Sequence, residues 1–222
     1  MKIQGAIFDM DGTLIDSLSF WDHLWQRIGE RYLGDPAFRP REEDDKRIRT
    51  MIYREGIAHI WETYRIPVSF DEFLSFAEAG LTEFYRSVAR PKEGALALLE
   101  GLRERGIPMC LASATARSEV VAALKHHGML GYFSAVISCA DLGAGKDRPD
   151  IYLEALRLLG LAPGDACVFE DSYVALETAK GIGLRTVGIF DRYNFGQDRL
   201  RAAAEIYLGE GGSLASLLAD LG

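Results

Sequence analysis

Short apolar runs alternate with amphipathic segments over most of the chain. The first run begins at Gly5, and four more follow in the second half, at residues 107–113, 134–139, 166–171 and 184–190. Between these later runs, apolar positions recur at helical spacing. Strands that alternate with helices of this length predict βαβ units and a mostly parallel sheet covered on both faces. Residues 204–209 predict a weaker strand at the edge of the sheet, followed by a last helix.

Residues 17–90 break this alternation, because their pattern is helical throughout and predicts no strand. A crossover between parallel strands needs only about a dozen residues, so this insertion is much longer than the topology requires. We therefore predict an α/β fold with two parts. Residues 1–16 and 91–222 form a Rossmann-like, doubly wound parallel sheet, and residues 17–90 form an inserted, all-helical cap.

Composition narrows the classes of partner. The chain has 222 residues and a formal net charge of -8, and its basic residues form no run that would follow a nucleic-acid backbone. No segment approaches the roughly 18 consecutive apolar residues of a membrane span, and the N-terminus leads straight into a strand. We expect a cytoplasmic monomer with no nucleic-acid or membrane partner. The three cysteines lie in apolar stretches, far apart in sequence, and we expect reduced core residues.

Polar side chains follow the predicted strands at their carboxyl ends, where open parallel sheets bind ligands. Carboxylates end the first and fourth strands, a hydroxyl ends the second, and an ammonium lies in the loop after the third. These groups belong to Asp9, Asp11, Ser113, Lys146, Glu170 and Asp171. Together they form the set that binds a hard divalent cation and a phosphate.

Two carboxylates two positions apart suit a two-step phosphoryl transfer. Asp9 and Asp11 emerge on the same side of an extended chain. One can attack phosphorus to form an aspartyl-phosphate, while the other protonates the leaving oxygen and later takes a proton from water. A Mg²⁺ ion held with the help of Glu170 and Asp171 would offset the repulsion between carboxylate and phosphate. Lys146 would neutralise further charge.

The end of the second strand predicts the phosphate site. Ser113 precedes a predicted helix, and we expect the first N–H groups of that helix, at Ala114 and Thr115, to bind phosphate oxygens. Gly12 allows a sharp turn directly after the two aspartates, where the backbone passes close to the ligand. The expected ligand is a small phosphorylated metabolite.

These motifs resemble those of the haloacid dehalogenase superfamily. The stretch "DMDGT" at residues 9–13 is similar to its DxDxT/V signature, and three further motifs follow in the same order along the whole chain. They are Ser113 in "LASAT", Lys146 in "GKDRPDIY" and the acidic pair in "VFEDS". The helical insertion resembles the C1-type cap of the β-phosphoglucomutase and phosphoglycolate phosphatase branch.

The resemblance implies a role for each matching residue. Asp9 would be the nucleophile and Asp11 the general acid and base. Ser113 and Lys146 would bind phosphate. Mg²⁺ would be held by Asp9, the backbone carbonyl of Asp11, and Asp171 with help from Glu170. In this family, an aspartate two positions after the nucleophile marks phosphatases and phosphomutases, so dehalogenation is disfavoured.

Two departures from the family pattern bear on function. Asp147 replaces a proline that relatives usually have after the lysine, with an effect on the lysine or the substrate that stays open. Trp21 stands where β-phosphoglucomutases have a histidine, and their arginine-containing "GxSR" loop is not evident. These differences favour simple hydrolysis of a phosphomonoester over the alternative, a phosphomutase acting on a sugar phosphate. A non-catalytic binding protein on the same fold is a third hypothesis, which the intact acidic set disfavours.

Other polar and aromatic residues suggest simpler roles. Trp21 and Trp25 lie one turn apart on a helix, so we expect core packing, with the substrate cleft as the alternative for Trp21. The acidic run at residues 42–45 predicts a solvated helix face or loop. The loop after the fifth strand opens toward the site, which makes Asp191 and Arg192 candidate ligand contacts.

Overall fold

A computed structural model describes residues 1–49 and 51–221. Thr50 and Gly222, which fall in the predicted cap and core, lie outside the described residues. The strands, in chain order, are β1 (Gly5–Phe8), β2 (Ile15–Asp16), β3 (Arg90–Pro91), β4 (Met109–Ser113), β5 (Ala135–Ser138), β6 (Ala166–Glu170), β7 (Arg185–Ile189) and β8 (Ile206–Leu208). Within the described chain, six of them form a parallel sheet in the order β5-β4-β1-β6-β7-β8. The predicted α/β fold is confirmed.

The helices fall into two sets, one before and one after β3. The first set is α1 (Phe20–Ile28), α2 (Glu42–Ile48), α3 (Tyr53–Thr63) and α4 (Phe70–Ser87). The second set is α5 (Ala95–Glu104), α6 (Arg117–His126), α7 (Cys139–Leu142), α8 (Asp150–Leu159), α9 (Tyr173–Gly181) and α10 (Gln197–Ala203). The last predicted helix is a 3₁₀ segment, Leu214–Ala219. None of the helices in the described ranges is long and apolar enough to cross a bilayer.

The sheet is buried on both faces, which explains why its strands read as continuous apolar runs. In β1, Ala6 and Phe8 point into one core cluster, which includes buried residues of α5 and α6. Ile7 points into the other, which includes buried residues of α8 and α9. The three cysteines are free and buried in these cores, as expected.

Helices α1–α4 pack on one another and cover the carboxyl end of the sheet. Helix α1 continues into a single π-helical turn that ends at Gly34, where φ is 68°. Ser69 caps α4 by accepting a hydrogen bond from the Glu72 N–H at 3.3 Å. Trp25 is buried in the cap core, as expected, whereas Trp21 is only partly buried.

The acidic run at residues 42–45 forms the first turn of α2. The prediction that it is exposed to solvent is wrong for two of its four residues. Glu42 and Glu43 are exposed, but Asp44 is buried and Asp45 is half-buried. Both of these side chains accept hydrogen bonds from cap residues. The i,i+4 spacing of Asp45 and Arg49 is a local signal for their pair, but spacing alone could not show the contact of Asp44 with His59, which comes from another helix.

The chain enters and leaves the cap through a pair of two-residue strands that the sequence pattern did not predict. β2 and β3 are antiparallel, with Ile15 opposite Pro91 and Asp16 opposite Arg90. Lys92 follows directly and forms a 2.8 Å ion pair with Asp191, which is buried at the end of β7. Both ends of the helical insertion are therefore fixed to the core at one place.

Candidate active site

Three buried carboxylates meet at the carboxyl end of the sheet. Asp9 follows β1, Glu170 ends β6, and Asp171 comes next in the chain. Each of the three side chains offers an oxygen within 4.8 Å of the other two. They are 6%, 1% and 3% exposed, respectively, so water compensates little of their charge. Adjacent parallel strands bring Asp9 together with two residues more than 160 positions later in the sequence, as the strand-end pattern predicted.

Lys146 is the cation in contact with this cluster. Its ammonium donates hydrogen bonds to Asp9 Oδ1 and to Glu170 Oε1, and it is itself buried. The Tyr152 hydroxyl also donates to Glu170 Oε1, at 3.1 Å. Burial acts to lower the pKa of Lys146, but Asp9 and Glu170 raise it above its usual value, so the ammonium stays charged.

The cluster holds more negative charge than Lys146 offsets. Burial raises the pKa of Asp9 well above its usual value; Lys146 opposes this rise, while Glu170 and Asp171 add to it. Burial, followed by Glu170 and Asp191, raises the pKa of Asp171 to about 7. Burial and the neighbouring carboxylates thus disfavour the ionised forms of Asp9 and Asp171. Such a cluster is stabilised by a further cation.

A divalent metal fits this donor set. Carboxylate oxygens are the preferred ligands of hard cations such as Mg²⁺, and three of them converge here. The space for Asp171 depends on Gly12, whose φ is 80°; a Cβ at this position would lie 2.4 Å from Asp171 Oδ2. Gly12 thus makes room for a candidate ligand as well as for the turn. The predicted contact of a metal with the Asp11 carbonyl stays a prediction.

Asp11 lies beside the cluster and is held by three hydroxyl groups. Ser17 Oγ and Tyr85 OH donate to its Oδ1 at 2.7 and 2.6 Å. Thr115 Oγ1 donates to Oδ2 at 2.9 Å. These donors come from the entry to the cap, from α4 and from the loop after β4. The carboxylate is therefore oriented jointly by core and cap.

The loop after β4 differs from the prediction. Helix α6 begins only at Arg117, so the N–H groups of Ala114 and Thr115 lie in a loop and not in the first turn of a helix. The Thr115 N–H donates to the buried Ser113 Oγ at 3.1 Å. Ala114 and Thr115 do line the cavity described below. Phosphate binding by these residues stays a prediction.

Asn194 is a site residue that the sequence interpretation missed. Its Nδ2 donates a hydrogen bond to Asp171 Oδ2 at 2.6 Å. The other carboxylate oxygen, Asp171 Oδ1, accepts a hydrogen bond from Thr13 Oγ1 at 3.1 Å. The loop after β7 was expected to reach this edge, but through Asp191 and Arg192. Instead Asp191 pairs with Lys92, and Arg192 lies exposed. The sequence pattern placed the loop after β7 at this edge of the sheet, but it did not indicate that Asn194 would be the residue in contact with Asp171.

A cavity of about 110 Å³ lies between this cluster and the cap. The cap contributes Trp21, Arg49, Tyr53 and Tyr85, among others, to its lining. The alternative weighed for Trp21, a position in the cleft, is the one observed. Its ring stacks on Trp25 with the centroids 5.4 Å apart.

Arg49 links the cap to the core at the edge of this cavity. It forms an ion pair with Asp45 at 3.0 Å and donates to the Tyr193 carbonyl at 2.8 Å. Its guanidinium also lies over the Phe195 ring, 5.2 Å from the centroid. No motif in the sequence pointed to Arg49, because its position depends on how α2 lies over the loop after β7.

Comparison with known proteins identifies the family. The haloacid dehalogenase-like hydrolase family matches residues 3–183. The chain belongs to this family. The expected superfamily and the expected class of enzyme, a hydrolase, are thereby confirmed. This haloacid dehalogenase-like hydrolase carries the four predicted motifs within the matched residues.

Individual relatives of this hydrolase are distant but cover most of its length. The phosphorylated carbohydrates phosphatase of Thermotoga maritima is 29% identical over 203 residues, which are 91% of this chain and 92% of the relative. Hexitol phosphatase A of Escherichia coli strain K12 is 29% identical over 194 residues, or 85% and 84%.

Solved structures show the same architecture. The putative β-phosphoglucomutase of Thermotoga maritima has a TM-score of 0.76 and 27% identity, covering 99% of this chain and 98% of that one. CbbY of Rhodobacter sphaeroides, in complex with phosphate, has a TM-score of 0.79 and 25% identity, covering 97% and 96%. The similarity therefore extends over core and cap.

Proposed function

We propose that this haloacid dehalogenase-like hydrolase cleaves a small phosphate monoester, with a Mg²⁺ ion bound at Asp9, Glu170 and Asp171. The observation that carries the proposal is the buried acidic cluster with Lys146, next to Asp11 and under the cap. The names of the relatives, phosphatases of phosphorylated carbohydrates and of hexitols, support a phosphorylated sugar or polyol as the substrate.

In the first step, a carboxylate oxygen of Asp9 attacks phosphorus and forms an aspartyl-phosphate. The bond between phosphorus and the leaving oxygen breaks, and Asp11 gives its proton to that oxygen, which departs as an alcohol. The hydrogen bond from Lys146 fixes the orientation of Asp9 for this attack. Those from Ser17 and Thr115 fix that of Asp11.

In the second step, water attacks phosphorus of the aspartyl-phosphate. Asp11 takes a proton from this water, phosphate leaves, and the Asp9 carboxylate is restored. When bound, Mg²⁺ would reduce the repulsion between the attacking carboxylate and the negatively charged phosphate. Ser113 and the loop residues Ala114 and Thr115 would bind the phosphate oxygens, with Lys146 adding positive charge.

A phosphomutase is the second candidate, favoured by the similarity to the putative β-phosphoglucomutase. A mutase retains a bisphosphate intermediate, which needs a second anion site in the cap. Among the described cap residues that line the cavity, Arg49 carries the positive charge, and Asp45 already pairs with it. We therefore favour hydrolysis. Cytoplasmic location and a monomeric state stay predictions.

The test is inorganic phosphate release from a panel of phosphorylated sugars, polyols, nucleotides and small acids, with Mg²⁺ or with EDTA. We expect release with Mg²⁺ only, and a decrease of about a thousandfold or more in Asp9→Asn, which keeps the shape of the side chain but is a poor nucleophile. Asp198→Asn, which alters an exposed aspartate of α10, is the matched control. No phosphate release, together with isomerisation that requires a bisphosphate activator, would show a phosphomutase instead.

A further inference from the structure

Asp147 places a carboxylate at the open side of the cavity under the cap. The residue is exposed, and it lines the cavity directly after the buried Lys146. The Arg148 N–H donates to the Gly145 carbonyl at 3.2 Å, so Lys146 and Asp147 are the two central residues of a tight turn. This turn fixes an exposed negative charge next to the lysine that contacts Asp9.

The Asp147 side chain has no structural role in its turn. No hydrogen bond or ion pair joins its carboxylate to another residue of the described chain. The neighbouring Arg148 pairs with Asp150 instead, at 3.2 Å. Asp35 shows what a structural aspartate in a loop does, since its Oδ1 accepts a hydrogen bond from the Ala37 N–H at 2.9 Å. The charge of Asp147 is therefore left for a ligand in the cavity.

The electric field of Asp147 reaches the region of the acidic cluster. Cys139, a buried thiol at the start of α7, reports on this field. Burial raises the pKa of Cys139 to about 11, and Lys146 opposes this rise. Asp9, Glu170 and Asp147 add to the rise. Asp147 thus acts on the same interior as two carboxylates of the cluster, although it lies at the surface.

Other charged groups in the cavity lining are compensated by neighbours. Lys146 contacts two carboxylates of the acidic cluster. Arg49 pairs with Asp45 at 3.0 Å. Three hydroxyl groups donate to Asp11. Within the described lining, Asp147 is the charged residue whose side chain has no hydrogen bond or ion pair.

We propose that the Asp147 carboxylate limits the charge that the carbon part of the substrate can carry, by repelling a second anionic group and attracting a cationic one. A charge acts over several Å, so this selection needs no single fixed contact. The inference rests on the proposed phosphatase function and adds a substrate class. That class is the phosphate monoesters of neutral or cationic alcohols, as opposed to phosphorylated carboxylic acids.

The test uses three substrates that share a six-carbon chain and a phosphate group and differ at the far end of the chain. An aminohexitol monophosphate carries an ammonium group there, a hexitol monophosphate a hydroxyl group, and a hexonate monophosphate a carboxylate. Phosphate release with Mg²⁺ gives kcat/KM for each compound. We expect the values for wild type to decrease in that order.

Asp147→Asn keeps the shape of the side chain and removes its charge. The ratio of kcat/KM for the aminohexitol phosphate to that for the hexonate phosphate should fall by about fivefold, which is the size expected for an exposed charge. The ratio isolates the far end of the substrate, because any effect of Asp147 on the shared phosphate cancels. The melting temperature should stay constant, since the carboxylate has no partner in the described chain.

Two further variants separate charge from shape and from net charge. Asp147→Glu keeps the charge and should retain the wild-type ratio. Asp198→Asn removes another exposed carboxylate, one that lies in α10 and outside the described cavity lining, and should also leave the ratio unchanged.

The inference is overturned if the best substrate in the wider panel is a phosphorylated acid, or if wild type prefers the hexonate phosphate. It is equally overturned if Asp147→Asn leaves the ratio constant, or if Asp147→Glu or Asp198→Asn lowers it as much as Asp147→Asn does. Wild type that releases phosphate from none of the three compounds, nor from any of the panel, would overturn the proposed function itself.

Discussion

Asp11 shows how a single candidate catalytic residue depends on distant parts of the chain. Its two oxygens accept hydrogen bonds from Ser17, Tyr85 and Thr115. Only Ser17 is close in sequence. Tyr85 belongs to the cap, so the orientation of Asp11 depends on the cap lying over the core.

Replacing Tyr85 by phenylalanine should separate this contribution from folding. The change removes one hydroxyl and keeps the ring, which is buried. We expect kcat to fall by about tenfold and KM to change little, because the lost hydrogen bond orients Asp11 and not the substrate. Steady-state kinetics on the best substrate of the panel measures both constants.

Tyr132→Phe is the control for this prediction. Tyr132 also donates to a carboxylate, that of Glu100 at 2.9 Å, but it is not part of the cavity lining. Its kcat should equal that of wild type. Equal kcat values for the two variants and wild type would contradict a role for the Tyr85 hydroxyl.

The loop between β7 and α10 contacts both the acidic cluster and the cap. Asn194 holds Asp171 in the acidic cluster, while the Tyr193 carbonyl and the Phe195 ring contact Arg49 of the cap. The same short element thus touches the candidate metal site and the cap. Any change in its conformation affects both.

Asn194→Ala should weaken metal binding. Partners of metal ligands typically contribute about 10- to 100-fold to affinity, so the Mg²⁺ concentration for half-maximal phosphate release should rise by about that factor. Arg192→Ala, a change at an exposed residue of the same loop, should leave it unchanged. A half-maximal Mg²⁺ concentration that is the same in both variants would show that Asn194 does not position Asp171.

At the scale of elements, the sheet and its strand ends were predictable and the contacts across the cavity were not. Apolar runs identify buried strands, and parallel strands bring their carboxyl ends together, so Asp9, Lys146 and Glu170 could be placed at one edge. Asn194 and Arg49 could not, because their contacts depend on how two separate segments pack. No local period in the sequence encodes that packing.

At the scale of the whole molecule, the cap has its own buried polar centre at Asp44. His59 and Tyr64 each contact this carboxylate at 2.7 Å, and Arg41 at 2.9 Å. Burial by itself raises the pKa of Asp44, but these hydrogen bonds lower it to about 2. The carboxylate therefore stabilises the folded cap above the usual aspartate pKa of about 4, and this stabilisation is lost as the pH falls from about 4 to about 2.

Asp44→Asn should make the stability of the cap less sensitive to acid. Between pH 5 and pH 2, the free energy of unfolding should fall by about 1 kcal/mol more in wild type than in the variant, because only wild type has the Asp44 carboxylate to protonate. The full pKa shift would correspond to a larger difference, but solvent near the surface screens the interactions of Asp44. The three tryptophans of the chain lie within residues 21–61, so their fluorescence in urea titrations follows the cap.

Glu43→Gln changes the exposed neighbour in the same helix and should retain the acid sensitivity of wild type. If wild type and Asp44→Asn lose stability in parallel as the pH falls, the carboxylate of Asp44 is not the group that responds.

The antiparallel pairing of β2 with β3 has a consequence for how such a protein can diversify. Asp16 and Arg90, where the insertion begins and ends, are paired across the β2–β3 ladder. The distance between these two attachment points therefore does not depend on the helices inserted between them. A different set of helices could be grafted at Asp16 and Arg90 without rearranging the sheet. The candidate catalytic residues of the core, Asp9, Asp11 and Lys146, would be retained, and a transplanted cap would change the part of the cavity lining that the cap supplies.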